Sequence, residues 1–388
     1  MKILMLLEND FPPDNRVEKE AMSLIRAGHE VSIASYTFKQ AVASSDYKSI
    51  RLFKREISRF QYKSSSVALR FPFYFRFWKK YIRELFQTNE FDLIHVHDLP
   101  LIKVGLYFKR KYGVKLIIDL HENYPALVEG SPYSQRFPGR ILISIKQWRR
   151  YEKKYLPEAD GIITVIDEMA DRISGLGVDR LKISIVSNTP DLASVSYAES
   201  SPDPGYTTLL YAGGITFHRG LQIVLMGLHK IIQSEQSVRL WVVGDGSYFP
   251  VLKKLVNDLD ISDYVTFWGW KPFDEMLQLQ AKCDIALIPH LKTEQSDNSS
   301  PNKIYEYMWN KKAILSSNCN SIIRLLNLTE AGITYIHDDP QSFADTFFTM
   351  MKSGDLKELG QNGHKAVRDI HNWQETEKEL ISLYNRMN

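Results

Sequence analysis

The 388-residue chain has only two cysteines, Cys283 and Cys319, too few for a disulfide framework or a four-ligand zinc cluster. Both lie in apolar runs that read as buried strands, and a reducing compartment fits them. Long hydrophobic runs are missing too. After Lys2 only five apolar residues, Ile3 to Leu7, precede Glu8, Asn9 and Asp10, too few for a secretory leader. No run approaches the ~18 apolar residues of a membrane-spanning helix. The expectation is a cytoplasmic protein that meets membranes only through its surface. Short-period repeats and low-complexity tracts are absent. No G-x-G-x-x-G follows the first strand of either half, which disfavours a dinucleotide oxidoreductase.

What is present is the raw material of a large core: 44% apolar residues, 12% aromatic and 24% charged. At roughly 150 residues per domain, two domains are expected. The net charge of +3 is unevenly spread, with 31 Lys and Arg against 23 Asp and Glu in residues 1 to 195. A basic first half suggests an anionic partner, nucleic acid or acidic lipid.

Residues 2–7, 30–36, 93–97, 115–120, 161–166 and 182–187 form strand-length apolar runs that do not alternate. Such runs suit parallel strands covered on both faces. Helical stretches lie between them, such as Val17 to Ala27, ended by Gly28. Strand and helix in alternation predict an α/β, doubly wound architecture. A Pro, Ser and Asp cluster then interrupts the pattern, which restarts with runs at 208–213, 239–244, 265–270, 285–290, 313–318 and 333–338. The expected division is a domain over 1–190, a linker over 191–206 and a second domain over 207–370, followed by a terminal helix over 371–388. Two such domains in tandem leave a cleft at their C-terminal strand ends, where ligands bind.

The densest chemical cluster is NSSPNKIYEYM, residues 298–308. Pro301 and Asn302 set up a helix start, and Lys303 and Glu306 share one face of that helix. Free amides and a lysine suit a diphosphate, and a carboxylate one turn on suits a ribose diol. A surface i,i+3 salt bridge is the plainer reading of the same pair.

Further along the chain come FPPDNRVEKEAMSLIRAGHEV (11–31), FDLIHVHDLPL (91–101), IIDLHENYP (117–125), ADGIITVIDEMADRI (159–173), YAGGITFHRGL (211–221), VVGDGS (242–247), VTFWGW (265–270), CDIALIPH (283–290) and NKIYEYM (302–308). In this order and spacing they resemble the family 4 retaining glycosyltransferases of the GT-B fold, over nearly the whole chain. The resemblance implies two Rossmann-like domains, the first for an acceptor and the second for a nucleotide-sugar donor, with the terminal helix returning to the first. It implies transfer of a sugar from a nucleotide-diphosphate donor to an acceptor hydroxyl, lipid-linked or saccharide, in surface polysaccharide or glycolipid assembly. No metal or other cofactor is required.

Carried over by residue, Glu306 matches the second glutamate of the family's E-x7-E motif, and Asn298 replaces the first. Gly214 stands where the family has a diphosphate-binding arginine, and Arg219 before Gly220 stands where it has a lysine. Arg219 and Lys303 are thus expected to neutralise the leaving diphosphate, with Gly213, Gly214 and Gly244 admitting the ligand to the backbone. Trp270 either walls the base or joins the core. His121 matches the histidine that meets the donor sugar near the reacting carbon, and His97, Asp98 and Glu122 are expected beside it at the acceptor. His95, His97, Asp98, His121 and Glu122 suffice in number for a metal, but cations and a helix terminus normally serve this fold. Asp258 and Asp260 form a lone D-x-D, read as turn acids. The family's glycine-rich loop after the first strand is replaced by NDFPPDNR, residues 9–16, whose only cation is Arg16.

Residues 72–86, PFYFRFWKKYIRELF, set an aromatic face beside a basic one. Arg76, Trp78, Lys79, Lys80 and Arg83 would dock on an anionic membrane if the helix is interfacial; the other reading is a core-facing helix with a soluble basic side. Residues 136–154 repeat the chemistry. Rival functions are a nucleotide-sugar epimerase of the same fold and a basic nucleic-acid-binding protein, although no aromatic platform or groove-reading motif supports the latter.

Overall fold

The computed structural model describes residues 1–40, 44–137, 139–195, 205–235 and 237–387. Most of the expected linker, residues 196–204, lies outside the described residues. The chain divides into two compact units, Met1–Asn188 with Thr376–Asn388, and Thr189–Glu375.

The first unit is built on eight strands, β1 (Lys2–Leu6), β2 (Glu30–Thr37), β3 (Ser44–Tyr47), β4 (Ile50–Glu56), β5 (Leu93–His97), β6 (Lys115–Leu120), β7 (Gly161–Thr164) and β8 (Ile183–Ile185). Their order is β3-β4-β2-β1-β5-β6-β7-β8, parallel throughout except for the β3–β4 pair at one edge. Ile3, Leu4, Met5 and Leu6 on β1 are all fully buried, as a central parallel strand with helices on both faces requires. The helix Asn15–Arg26 starts where the Asp14 carboxylate accepts the amides of Arg16 and Val17. Chain direction reverses at Gly28, whose φ of +87° suits a residue without a side chain.

The second unit repeats the plan with six parallel strands, β9 (Thr207–Ala212), β10 (Val238–Val243), β11 (Val265–Gly269), β12 (Ile285–Ile288), β13 (Ala313–Ser317) and β14 (Gly332–Tyr335). Their order is β11-β10-β9-β12-β13-β14. Each sheet reverses its winding direction once, between β1 and β5 and between β9 and β12. At such points helices diverge to opposite faces and leave a crevice beyond the C-terminal strand ends. The last helix, Trp373–Asn385, begins in the second unit, where the Trp373 amide donates to the Pro190 carbonyl at 2.8 Å. It ends in the first, where the Glu377 carboxylate accepts from Ser23 and Arg26.

The structure decides between readings that the sequence left open, and it corrects the docking role expected of Trp78. The amphipathic segment forms the helix Phe73–Thr88, but its aromatic face is core. Trp78 is 0% exposed, and Tyr74, Phe75, Phe77, Tyr81 and Ile82 are buried with it. Trp78 is therefore no membrane anchor: its indole lies among Tyr36, Tyr74, Phe77 and Tyr81. Arg76, Lys80 and Arg83 remain on the exposed side, while Lys79 is half-buried. The second basic, aromatic stretch likewise contributes the helix Ile145–Tyr155 with Trp148 and Tyr151 buried. Trp270 departs from the core reading in the opposite sense, since it is 74% exposed just past β11. Trp268 stands edge-on to Trp241, with ring centroids 5.8 Å apart.

Among the described residues no helix is long and apolar enough to cross a membrane.

Candidate active site

In the second unit the β9/β12 crevice gathers several of the expected donor residues. Gly213 and Gly214 follow β9, with φ of +158° at Gly213. A Cβ on Gly213 would lie 2.8 Å from Lys303 Cε, so the lysine stem runs directly over this glycine. Gly244, at the end of β10 with φ of +130°, leaves no room for a side chain: a Cβ there would lie 1.9 Å from the Gly213 carbonyl oxygen. The turn Phe217–Arg219 and Gly220 bring Arg219 to the end of β12, where its Nη1 donates to His290 Nε2 at 2.6 Å. Burial, Arg219 and Lys303 together push the His290 pKa down to about 3. His290 is thus a neutral acceptor that fixes the guanidinium, a role the sequence alone did not reveal.

Lys303 opens the helix Lys303–Trp309. Burial lowers its pKa, Glu306 supports its charge and Arg219 opposes it. Lys303 is half-buried and Arg219 exposed, and the two like charges repel each other at this crevice until an anion enters. Glu306 Oε2 is buried without a hydrogen-bond partner, an acceptor that costs free energy until something donates to it. Asn302 caps the helix without a side-chain bond, and the helix has only seven residues. The positive charge at this crevice therefore comes from the side chains of Arg219 and Lys303 rather than from a long helix. Pro301 is half-buried just before this helix. The Asn298 amide nitrogen donates to the Glu294 carbonyl at 2.8 Å, closing the short helix Glu294–Asp297. Asp258, of the lone D-x-D, pairs with Lys254 one turn back at 2.5 Å, and Asp260 follows at a φ of +54°.

In the first unit the β1/β5 crevice carries a buried charge network. Arg16 is buried and clamps both oxygens of Asp119, at 2.9 and 3.1 Å, while its Nε lies 3.1 Å from Glu20. Its charge is therefore spent inside the unit. His97 corrects the expectation of an acceptor-facing side chain: it is 0% exposed, its Nδ1 lying 3.4 Å from His121 Nε2 and 3.3 Å from Asp119. His121 reaches the surface of this network. Burial opposes its charge, but Asp119 at 2.7 Å and Asp98 at 4.0 Å outweigh that and raise its pKa to about 9. It is an imidazolium at neutral pH and donates hydrogen bonds. Asp98 has a φ of +68°, a left-handed backbone that costs a non-glycine residue about 1–3 kcal/mol and collects at functional sites. Glu122 is exposed beside His121.

Of the five residues that sufficed in number for a metal, His95 and His97 fall, among the described residues, in a cluster of possible ligands with Glu20 and Asp119. Arg16 already supplies a cation there. His95 accepts or donates at 2.7 Å to the Tyr384 hydroxyl of the last helix. Glu20, Asp119 and Tyr384 were not singled out in the sequence, because the partners are up to 289 residues apart.

Comparison with known proteins follows the same division. Residues 15–194 match the Glycosyltransferase Family 4 model, and residues 206–353 match Glycosyl transferases group 1. The chain belongs to these glycosyltransferases. Among curated relatives, this glycosyltransferase chain is 24% identical over 291 residues to alpha-monoglucosyldiacylglycerol synthase of Streptococcus pneumoniae. The match covers 69% of the chain and 61% of the synthase. The chain thus spans about three fifths of that relative's length. Its fold is GT-B. Sucrose-phosphate synthase from Thermosynechococcus elongatus superimposes with a TM-score of 0.78 at 15% identity, covering 100% of this chain and 98% of that one. HepE of Anabaena, solved with UDP and glucose, superimposes with a TM-score of 0.70 at 14% identity, each chain covered completely.

Proposed function

We propose that the protein transfers a sugar from a nucleotide-diphosphate donor to an acceptor hydroxyl, with retention at the anomeric carbon. The observation that carries this reading is the convergence of Arg219, Lys303, Gly213 and the unpartnered Glu306 oxygen at one crevice. Two cations, of which Lys303 is half removed from water, stabilise a diphosphate most when its charge grows, as it does when the sugar–phosphate bond breaks. The departing phosphate then takes the acceptor proton as the acceptor attacks the same face of the sugar. Glu306 accepts from the ribose diol. Charge compensation is assigned to Arg219 and Lys303, with no divalent ion in the reading. His121 contributes a fixed imidazolium at the first sheet's C-terminal edge, oriented by Asp119 and Asp98. Nearby acidic groups, with Asp98 foremost, are assigned to acceptor hydroxyls.

The acceptor class is a glycolipid or saccharide, a reading supported by the diacylglycerol-linked product named in the pneumococcal relative. A panel of UDP, GDP, ADP and CDP sugars in a thermal-shift assay identifies the donor, since a ligand at 100 times its Kd stabilises by about 2.7 kcal/mol. Proton NMR of the product formed with that donor then reports the anomeric configuration. Inversion would refute the front-face mechanism, and free epimerised sugar without acceptor would favour the epimerase.

A further inference from the structure

A cavity lies in the first unit and shares no lining residue with those assigned above to transfer. It measures about 300 Å³ and is lined by Lys79, Lys103, Arg110 and Lys111 with Tyr107 and Tyr155, plus one leucine. No carboxylate lines it. Lys103, Tyr107 and Lys111 recur at four-residue intervals on the helix Ile102–Tyr112, so they share one face. Lys79 reaches across from the helix Phe73–Thr88, its ammonium 4.7 Å from the Tyr107 ring centre. The Lys103 ammonium lies 5.8 Å from the Tyr155 ring centre. Arg110 is ion-paired with Glu158. Among the described residues, Lys79, Lys103 and Lys111 have no carboxylate partner within ion-pair distance.

This arrangement is not what helix stability alone would select. Cations in the last turn, such as Lys111, are favoured by the helix dipole. Lys103 sits in the first turn, where the dipole disfavours it. Lys79 is partly buried among like charges, and its pKa is lowered by burial and then by Lys103 and Arg83. Arg83 also hydrogen-bonds the Tyr107 phenol, adding a fifth cation at the rim. Like charges brought together repel until an anion enters, most of all at half-buried Lys79. Tyrosine rings on two sides supply walls for a small carbon skeleton attached to that anion.

We propose that this cavity binds the phosphoryl group of a small organic phosphate or of a phospholipid headgroup, at a site separate from the donor crevice. Lys79, Lys103 and Lys111 neutralise the phosphate oxygens, and Tyr107 and Tyr155 flank the attached carbons.

The test uses the full chain at low salt, titrated calorimetrically with glycerol 3-phosphate and sedimented with vesicles of phosphatidylglycerol or of phosphatidylcholine. Wild type is expected to bind glycerol 3-phosphate saturably at one site. The double variant Lys79→Gln, Lys103→Gln should lose at least tenfold in affinity, and Lys103→Gln alone, at an exposed position, should lose a measurable part. Circular dichroism and melting midpoint confirm that the fold is retained. A soluble ligand is indicated if phosphatidylglycerol vesicles do not sediment the protein. A lipid headgroup is indicated if they do, glycerol 3-phosphate releases it, and the double variant stays in solution. Absence of saturable binding to either probe overturns the site. So does binding that survives the double variant, or that falls equally in Arg76→Gln, Lys80→Gln, because a diffuse basic face would then suffice.

Discussion

Replacing Glu306 by alanine probes the proposed ribose contact. In the structure Glu306 Oε2 is buried and accepts no hydrogen bond, so the free protein already bears the cost of desolvating it. A ribose diol that donates to this carboxylate forms charged hydrogen bonds worth about 1.5–3 kcal/mol, or roughly a 10- to 150-fold loss of nucleotide affinity on truncation. The fold should not suffer, because no bond within the protein is broken at that oxygen. Calorimetry with the cognate nucleoside diphosphate and its 2′,3′-dideoxy analogue isolates the contact. Wild type is expected to lose affinity on going to the dideoxy nucleotide, whereas Glu306→Ala should bind the two almost equally. Glu306→Gln, which keeps one acceptor oxygen, should fall between. Equal losses for both nucleotides in Glu306→Ala would assign the effect to Lys303, whose charge Glu306 supports, and refute the ribose role.

Arg219→Ala and Lys303→Ala should each lower kcat more than they weaken donor binding, and the double variant should cost less than the sum if both hold one diphosphate; full additivity in KM alone would contradict a shared role. Trp78→Ala should destabilise the protein by about 3–5 kcal/mol in urea unfolding, whereas Arg76→Glu or Lys80→Glu should change stability by less than about 0.5 kcal/mol; the reverse order would restore the interfacial reading. Thermal stability should fall as pH rises from about 5 to 9. Folding raises the pKa of Glu20 from 4.5 to about 7 and of Glu8 from 4.5 to about 8, mainly through burial. Each carboxyl ionises more easily unfolded, so stability drains between those values. His121, raised from 6.5 to about 9, contributes fully below 6.5 and loses that contribution as pH passes 9. Asp119, held low by Arg16 and His121 against burial, weakens the fold only in acid. A midpoint that stays flat or rises from pH 6 to 9 would show that these groups do not govern stability.

Twelve strands were legible in the amino-acid order, because most are parallel strands buried on both faces, which need continuous apolar, β-branched runs. The edge pair β3 and β4 was not. In Ile50–Glu56 apolar residues mix with Arg51, Lys54, Arg55 and Glu56, the composition of a strand near a solvated edge. It resembles a loop until its partner is known. The grouping of Gly213, Gly244, Lys303 and Glu306 was legible for a related reason: they lie at strand ends and in one helical turn, where local spacing already sets their direction.

The helix Phe73–Thr88 marks where that reasoning stops. Amphipathic order specifies an apolar face and a basic face, but the same free energy is gained by burying the apolar face in lipid or in protein. Only the tertiary structure, which surrounds Trp78 with Tyr36, Tyr74, Phe77 and Tyr81, decides between them. The charge network of the first unit is still less local. Arg16 and Asp119 are 103 residues apart, and His95 and Tyr384 are 289 apart. No periodicity records such pairs, and a desolvated ion pair has meaning only once the fold has removed the water around it. Short-range patterning therefore determined twelve of the fourteen strands among the described residues and the local geometry around Gly213, Gly244 and Lys303. Long-range packing determined which charges are spent inside the protein and which are left for a ligand.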